Sequence, residues 1–565
     1  MHALHLPPDT PFASGRPRFD HTALSAMDAW STAFAQRGPA CAADVGGEFS
    51  VALELLDLAG AVRGHYLAVD RFAVHSLCYA VRDGRLHYAT RADVLAQQLG
   101  STEIDPQAIF DYLFHHVIPS PRTIYKGIYR LPAGHFALFE HGQLRVEPYW
   151  TPQFAELAQP DFASLKGEFL DILRSAVRDR LDADGRTACF LSGGTDSSTV
   201  AGILTEVTGK PAPSYSIGFE SEGYDEMAYA RIAAKAYGCD HHEYYVTPAD
   251  LVKAIPSVAA HYDQPFGNSS AVPAFYCASK ARADGHNTML AGDGGDELFG
   301  GNTRYAKERV FHIYSQIPRP LRAGLVNPLF ANPITSAIPL LKKGSSYIAQ
   351  ARVPMPDRMQ SYNLLQRLGL QDVLTPELLA QVNIQSPLDG QRATWQAELA
   401  ANPKASLVNH MLAFDWRYTL AENDLPKVVG TTAMAGVDVG FPLLDSRLLD
   451  FSLKLPTAYK LKGLKLRWFF KEALRGFLPD EILTKKKHGF GLPFGPWALK
   501  DPALKALAAE SLRGIAARGV VRTEFVESLL SQRLKEHPGY YGEMVWILMM
   551  LEQWLRVHAP DYRIS

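Results

Sequence analysis

Two glycine-rich stretches carry acids that an ordinary turn does not need. Residues 189–200 read CFLSGGTDSSTV, and residues 290–301 read LAGDGGDELFGG. In the first, small and β-branched residues predict a strand, and Gly193 and Gly194 leave backbone N–H groups unobstructed. The hydroxyl-rich helix start that follows adds donors at its positive end, which makes a cradle for phosphate. The lysine and four-residue spacer of a Walker A loop are missing, so a simple kinase or GTPase is not expected. Asp196 would repel a phosphate unless a cation lay between them, and Mg²⁺ held by a carboxylate and polyphosphate oxygens meets that need. Taken alone, the stretch also suits a plain turn with Asp196 as a helix N-cap.

The second stretch shifts the balance. Asp293, Asp296 and Glu297 crowd among five glycines with no counter-charge nearby in sequence. If both loops end neighbouring parallel strands, Asp196 and Asp296 face each other across one crevice, as ligand-binding groups do at the switch point of an α/β sheet. The pair predicts a Mg²⁺–nucleotide site.

The rest of the chain has to place these loops. From about Gly46 to Trp150 the pattern is that of short antiparallel strands, with hairpin turns at Asp83-Gly84 and His141-Gly142 and one helix in IDPQAIFDYLFHH. The alternation stops in TPQFAELAQPDFAS, residues 151–164, where a domain boundary is expected. Beyond it helices and strands alternate: a helix over Leu165 to Leu181, then RTACFLS, SSTVAGILTEV, SYSIGF, DEMAYARIAAKAYG, AVPAFYCASKARADG and NTMLAG. That order predicts a parallel sheet with crossover helices. Residues from about 310 to 400, and the C-terminal third, read as mainly helical. His241 and His242 invite a metal reading, but adjacent histidines point apart, and a structural role just before a strand is expected instead.

At 565 residues the chain exceeds one ordinary core and should form at least two domains. The 57 Lys and Arg nearly cancel the 59 Asp and Glu, so neither nucleic acid nor an anionic membrane is expected as a partner. Five cysteines without paired spacing, no apolar leader and no long apolar run suggest a reducing, cytoplasmic location.

SGGTDSS resembles the pyrophosphate loop of the N-type ATP pyrophosphatases. The ordered set SYSIGF, HHEYYV, DQPFGNSSAVPAF, GDGGDELFGG, GFPLLD and KKKHGFGLPFGPW is similar to the asparagine synthetase family, and GEFSVAL, AVDRF and LPAGHFALF resemble its glutaminase domain. The resemblance implies an α+β Ntn-hydrolase-like sandwich over residues 1–155. Over residues 160–565 it implies an α/β synthetase domain of the adenine nucleotide α-hydrolase type with a helical C-terminal part. It also implies cleavage of ATP to AMP and pyrophosphate, with an acyl-adenylate that an amine or ammonia attacks. Ser192, Gly193, Gly194, Asp196, Ser197 and Ser198 would hold pyrophosphate. Leu191, Ser216, Ile217, Gly218 and Gly292 would border the nucleotide, and Asp196 and Asp296 would ligate Mg²⁺. Asp293 would lie near the reacting carboxyl, although it also suits a ligand to a second ion. Lys487 would stabilise phosphate charge, as a phosphoryl-type transition state requires, although Lys485, Lys486 and Lys487 also suit a solvated charge run.

The sequence departs from the family in two places. Glutamine-dependent members use an N-terminal cysteine, where this chain has His2; nothing around Cys41 resembles their start, and the RGPD and NGEIYN patterns are missing. Loss of glutamine hydrolysis is expected. Where asparagine-forming members read KVDRASMAHSLEVRVPFLD, this chain reads KVVGTTAMAGVDVGFPLLD, so Val429-Gly430 and Gly440 replace charged residues. Aspartate is therefore a doubtful substrate. Relatives with a silent first domain include β-lactam synthetases and lasso-peptide cyclases, the latter acting on a precursor peptide with a protease partner; ammonia-dependent synthesis stays open.

Overall fold

The structure is a computed structural model that describes residues 7–19, 24–322, 324, 347–485 and 491–564. His2 and Lys487 lie outside the described residues.

The first part is a sandwich. β1 (Phe12–Arg18), β2 (Gly46–Leu56), β3 (Val62–Val69), β7 (His135–Glu140) and β8 (Gln143–Pro148) form one antiparallel sheet. β4 (Cys78–Arg82), β5 (Arg85–Ala89) and β6 (Tyr129–Arg130) form a second, smaller one. Leu67, Val69 and Ala137 of the first pack against Tyr79, Leu86 and Tyr88 of the second. On the other face of the larger sheet α1 (Ala26–Arg37) buries Trp30 against Phe49. Both hairpins turn through consecutive positive φ, 51° and 70° at Asp83-Gly84 and 53° and 75° at His141-Gly142. That is the twist a two-residue turn needs to match its strands.

α2 (Ala92–Leu99) and α3 (Pro106–His115) leave this sandwich for the second part. Ala108 to Phe114 of α3 are all buried, too many for a helix with one wet face. They share a core with Trp546, Ile547 and Trp554 of the helix Pro538–His558, and Tyr112 donates to the Ile547 carbonyl at 2.9 Å. The two parts are thus joined through packed side chains.

In the second part α4 (Phe162–Arg178) precedes a fully parallel sheet of β9 (Thr187–Phe190), β10 (Pro213–Phe219), β11 (Asp240–Val246), β12 (Thr288–Leu290) and β13 (Asp438–Gly440). Its order is β11-β10-β9-β12-β13, so the winding reverses between β9 and β12. α5 (Thr195–Thr208), α6 (Met227–Tyr237), α7 (Pro248–His261) and α8 (Ala271–Ala283) are the crossovers, and the short α9 (Gly295–Phe299) follows β12. His241 and His242 lie within β11 rather than before it. Their side chains do diverge: His241 meets Ser216, and His242 stacks on Tyr215.

Two sequence departures have a packing explanation. A Cβ at Gly430 would lie 2.5 Å from the Tyr262 ring, so that ring fills the space a side chain would need. At Gly440 the nearest atom is Cδ of Arg180, at 3.0 Å. Arg180 is itself buried, 2.8 Å from Glu48 of β2 and 3.1 Å from Asp445. Burial alone would raise the Asp445 carboxyl, but Arg447, Arg180 and Arg18 hold it well below the usual range. A cation supplied by α4's end thus fills the space beside Gly440 and ties the two parts together.

Candidate active site at the ends of two parallel strands

β9 and β12 are hydrogen-bonded neighbours in register, Leu290 opposite Cys189, so the loops that leave them lie side by side at the switch point. Gly194 is the N-cap of α5, and Asp196 sits in the first turn instead of capping the helix. Ser192 and Ser197 close the loop, with their hydroxyls 2.9 Å apart. The two loops touch backbone to backbone, because a Cβ at Gly292 would fall 2.7 Å from the Ser197 nitrogen. At Gly295 a Cβ would fall 2.2 Å from Asp196 Oδ1. Only glycine lets the second loop close over the first loop's carboxylate.

Asp196 and Asp296 meet on one cation, and that cation is a side chain. Arg467 Nη1 donates to Asp196 Oδ2 at 2.8 Å and to Asp296 Oδ1 at 2.7 Å, while Nη2 donates to Asp196 Oδ1. Arg467 is buried, holds φ at 54°, and lays its guanidinium 4.1 Å from the centre of the Phe470 ring. Among the described residues no group of three or more His, Cys, Asp or Glu converges on one point. The carboxylate pair is therefore a Mg²⁺ site only with phosphate oxygens as further ligands, the usual arrangement for that ion. Two hard oxygen donors already gathered on one positive charge fit it, with the guanidinium as the stand-in.

These loops floor a cleft of about 1480 Å³. Leu191, Ser192, Gly194, Asp196, Ser197, Ile217, Gly292, Asp293 and Asp296 all border it. Four of the residues expected there do not. Gly193, at φ 67°, packs on the backbone of Tyr229 and Ala230. Ser198 is fully buried on the inner face of α5. Ser216 turns its hydroxyl to the Leu191 carbonyl and to His241 Nε2, 2.7 Å away. Gly218 lies under the Tyr245 ring. On a strand successive side chains alternate faces, so Tyr215 and Ile217 reach the cleft and Ser216 does not.

Cations line the opposite wall. Lys427 Nζ lies 3.5 Å from Asp293 Oδ1 and 3.2 Å from Asp424 Oδ1. Burial pushes the Asp293 carboxyl up, partly offset by Lys427; burial also disfavours the Lys427 ammonium, but Asp424 and Asp293 more than restore it. Burial, then Asp296 and Asp424, drive the Glu297 carboxyl well above the usual carboxylate range. Lys485 pairs with Glu226 at 3.0 Å, and Lys471 donates to the Leu483 carbonyl at 2.8 Å. Burial, and then Arg467, lower Lys471.

Arg467 and Lys427 were not legible as site residues. For Lys427 a signal existed: Asp424 and Lys427 stand three apart on one helix face, in the stretch ENDLPKVVG otherwise notable for charges it lacks. For Arg467, in KLRWFF, local spacing carries none.

The class these features define is a two-part architecture, an antiparallel sandwich joined to a doubly wound parallel sheet with paired acidic loops at its switch point. The chain belongs to the asparagine synthase family, whose match covers residues 168–556. A glutamine amidotransferase domain match covers residues 22–150. The chain is similar to asparagine synthetase [glutamine-hydrolyzing] 1 of Bacillus subtilis (24% identical, over 86% of this chain and 74% of that one). It is also similar to a putative asparagine synthetase of Mycobacterium tuberculosis (26%, over 76% and 65%) and to a second putative one of Methanocaldococcus jannaschii (34%, over 39% and 42%). The chain thus spans only about two thirds of the mycobacterial relative's length. Membership of this family, whose members use ATP, supports a ligase and suggests ATP-dependent amide bond formation. No helix among the described residues is long and apolar enough to cross a membrane.

Proposed function

We propose that the chain is an AMP-forming carbon–nitrogen ligase that activates a carboxylate as its acyl-adenylate and does not hydrolyse glutamine. The observation that carries the reading is the convergence of Asp196 and Asp296 on one positive charge beside the cradle at the start of α5. Bound Mg²⁺ would supply charge neutralisation of the polyphosphate, held by Asp196 and Asp296.

In this reading the loop N–H groups and the Ser192 and Ser197 hydroxyls hold pyrophosphate, while Leu191 and Ile217 flank the adenosine. A carboxylate oxygen of the substrate attacks the α-phosphorus, and the bond from that phosphorus to pyrophosphate breaks. The amine nitrogen then attacks the acyl carbon, and AMP leaves with the bonding pair. Asp293, beside Lys427, takes the proton the amine gives up. Lys485 and Lys471 border the cleft, and Lys487 is proposed to stabilise charge on the phosphates.

Cys41 supports the absence of glutamine hydrolysis. It is buried, its Sγ lies 3.6 Å from the Tyr66 hydroxyl, and burial pushes its thiol up to about 11. A nucleophilic cysteine needs an exposed, depressed thiol.

The test is ATP–pyrophosphate exchange driven by a panel of carboxylic acids, in the wild type and in Asp196→Ala. Acid-dependent exchange that disappears in the variant supports the reading. No exchange with any acid, in a chain that still binds ATP, would make it a nucleotide-binding homologue.

A further inference from the structure

The helix Pro538–His558 is buried along most of its length, but its first turns border the cleft through Gly539, Gly542, Glu543 and Trp546. Glu543 is the only charged residue of the four. Its side chain is 57% exposed, and the space it opens into is the cleft and a smaller cavity of about 410 Å³ beside it. Gly539 keeps this ground open, since a Cβ there would meet nothing nearer than the Tyr224 hydroxyl at 3.7 Å. In such a recess water reaches a group that protein still surrounds. Burial accordingly raises the Glu543 carboxyl, and no neighbouring charge offsets it.

The ordinary reasons for a glutamate on a helix are missing here. Glu543 stands in the second turn, beyond the reach of the helix's positive end. Three and four residues away on the same face are Gly539, Tyr540, Trp546 and Ile547, so its own helix offers no cation. Among the described residues its one ion-pair contact is His116, whose Nδ1 lies 3.8 Å from Oε1. Burial drives that imidazole down to about 4, so it is neutral at physiological pH and cancels no charge. The other acids of the cleft differ. Asp196 and Asp296 share Arg467, Asp293 and Asp424 share Lys427, Glu226 pairs with Lys485, and Glu472 pairs with Arg475. Glu297 lies in the field of Arg467 and Arg304. Exposed Arg367 borders the smaller cavity but lies over the Tyr362 ring and makes no ion pair with Glu543.

The neighbours of Glu543 are aromatic instead. Tyr224 and Trp546 border the cleft, and Tyr540 borders the smaller cavity. Ring faces are negative and attract cations, so they add to the preference of the carboxylate.

We infer that Glu543 is a recognition residue for a cation: it holds an ammonium group that the substrate carries away from its reacting end. That the cation belongs to the substrate rests on the ligase reading. That the site takes a cation rests on Glu543 and its uncharged neighbours alone. A carboxylate placed there would face a like charge, and a neutral group would leave Glu543 without a counter-ion in a poorly hydrated place.

Benzylammonium is the probe, with benzyl alcohol and benzoate as its neutral and anionic counterparts, and binding to the full chain is read by ligand-observed NMR titration. Benzylammonium is expected to bind about tenfold more tightly than either, the factor that one charge-assisted hydrogen bond supplies. Glu543→Gln keeps the shape and loses the charge, and it is expected to bring benzylammonium to the level of benzyl alcohol. Glu543→Lys is expected to reverse the order and make benzoate the tightest ligand, a change that a merely structural role would not produce. Both variants should keep the wild-type melting temperature, because the side chain is exposed; the glutamine variant decides alone if the lysine variant does not fold. Equal benzylammonium binding by the wild type and Glu543→Gln, no benzylammonium binding by the wild type, or tighter benzoate binding by the wild type would each overturn the inference. The measurement needs neither ATP nor turnover. Glu543-dependent benzylammonium binding without any pyrophosphate exchange would therefore count against the ligase reading and leave the cation site standing. Exchange without such binding would do the reverse.

Discussion

Arg467 Nη1 lies 2.8 Å from Asp196 Oδ2, on a side chain that lies 271 residues further along the chain. The same nitrogen holds Asp296, so one guanidinium keeps two carboxylates of neighbouring loops together. All three groups are largely withdrawn from water, at 6%, 20% and 21% side-chain exposure. Removing the guanidinium breaks a buried ion pair with each of the two carboxylates, a change that costs about 3 kcal/mol at such a site. Arg467→Met is thus expected to lower the melting temperature in the absence of divalent ions. If the two carboxylates form a cation site, millimolar Mg²⁺ should restore most of that loss and raise the wild type less. Differential scanning fluorimetry with and without Mg²⁺ reads this, and equal Mg²⁺ responses in the two proteins would count against the site.

Lys427 bridges Asp293 and Asp424, and in the proposed reaction it acts on the second half alone. Lys427→Met deletes the charge that partly offsets the burial of Asp293, so that carboxyl rises further and is more protonated at neutral pH. A proton acceptor blocked in this way costs about 10² in rate. Amide formation is expected to fall by that factor, with ATP–pyrophosphate exchange within about threefold of wild type. The acid limb of the kcat profile should move to higher pH, since the acceptor titrates later. An unshifted profile with both half-reactions equally slowed would mean that Lys427 only shapes the cleft.

The loops were legible because their chemistry is local: glycines, hydroxyls and an acid within seven residues at a strand end carry their own explanation. The parallel sheet with its crossover helices followed from the alternation of strand and helix, and the hairpins from Asp-Gly and His-Gly. Arg467 was not legible, since its partners come from Asp196 and Asp296 and no spacing rule connects positions so far apart. Nor was α3's place in the core: IDPQAIFDYLFHH reads as a helix, but nothing local says that Asp111 is buried against Gln107 and Arg122. The departures at Gly430 and Gly440 looked like lost charge. In the structure Tyr262 and Arg180 crowd the space a side chain there would need, which no local pattern reveals.

Cys41 is sealed between the sandwich and Tyr66. Glutamine should therefore yield no glutamate above the uncatalysed background, and adding glutamine should not stimulate amide formation at limiting amine. Cys41→Ser is expected to leave both readings unchanged, because the thiol only fills space. Coupled glutamate dehydrogenase detection measures the first. Robust, Cys41-dependent release would overturn the proposed loss of glutaminase chemistry.

Arg130 of β6 pairs with Glu422 and also donates to the Ile118 carbonyl at 3.0 Å. Glu422 belongs to the π-helical turn Trp416–Asp424, which delivers Asn423 and Asp424 to the cleft. π-turns add a residue to a helix and recur at functional sites. Arg130→Met leaves Glu422 buried without its cation and is expected to loosen this turn. Steady-state kinetics should show the amine KM raised at least fivefold and the ATP KM unchanged. A uniform fall in kcat with both KM values constant would indicate that the pair serves stability alone.

Lys460 is fully buried, donates to Asn409 Oδ1 at 2.9 Å and lies 5.0 Å from the Phe154 ring centre. Burial, only weakly opposed by Glu156, lowers its ammonium to about 7 from an ordinary 10.5. The sign follows from proton counting. Between those values the unfolded chain holds the proton and the folded chain does not, so this group makes stability rise with pH across about 7 to 10.5. Below about pH 7 both states are protonated, and the cost of burying the charge is felt in full, about 5 kcal/mol from the size of the shift. Lys460→Met keeps the bulk and loses one hydrogen bond, worth about 1 kcal/mol. The variant is therefore expected to be the more stable protein at pH 6.5, with the advantage shrinking steadily toward pH 9.5. Urea midpoints at four pH values across that range decide it. Parallel curves for the two proteins would show that the Lys460 ammonium stays charged in its buried place.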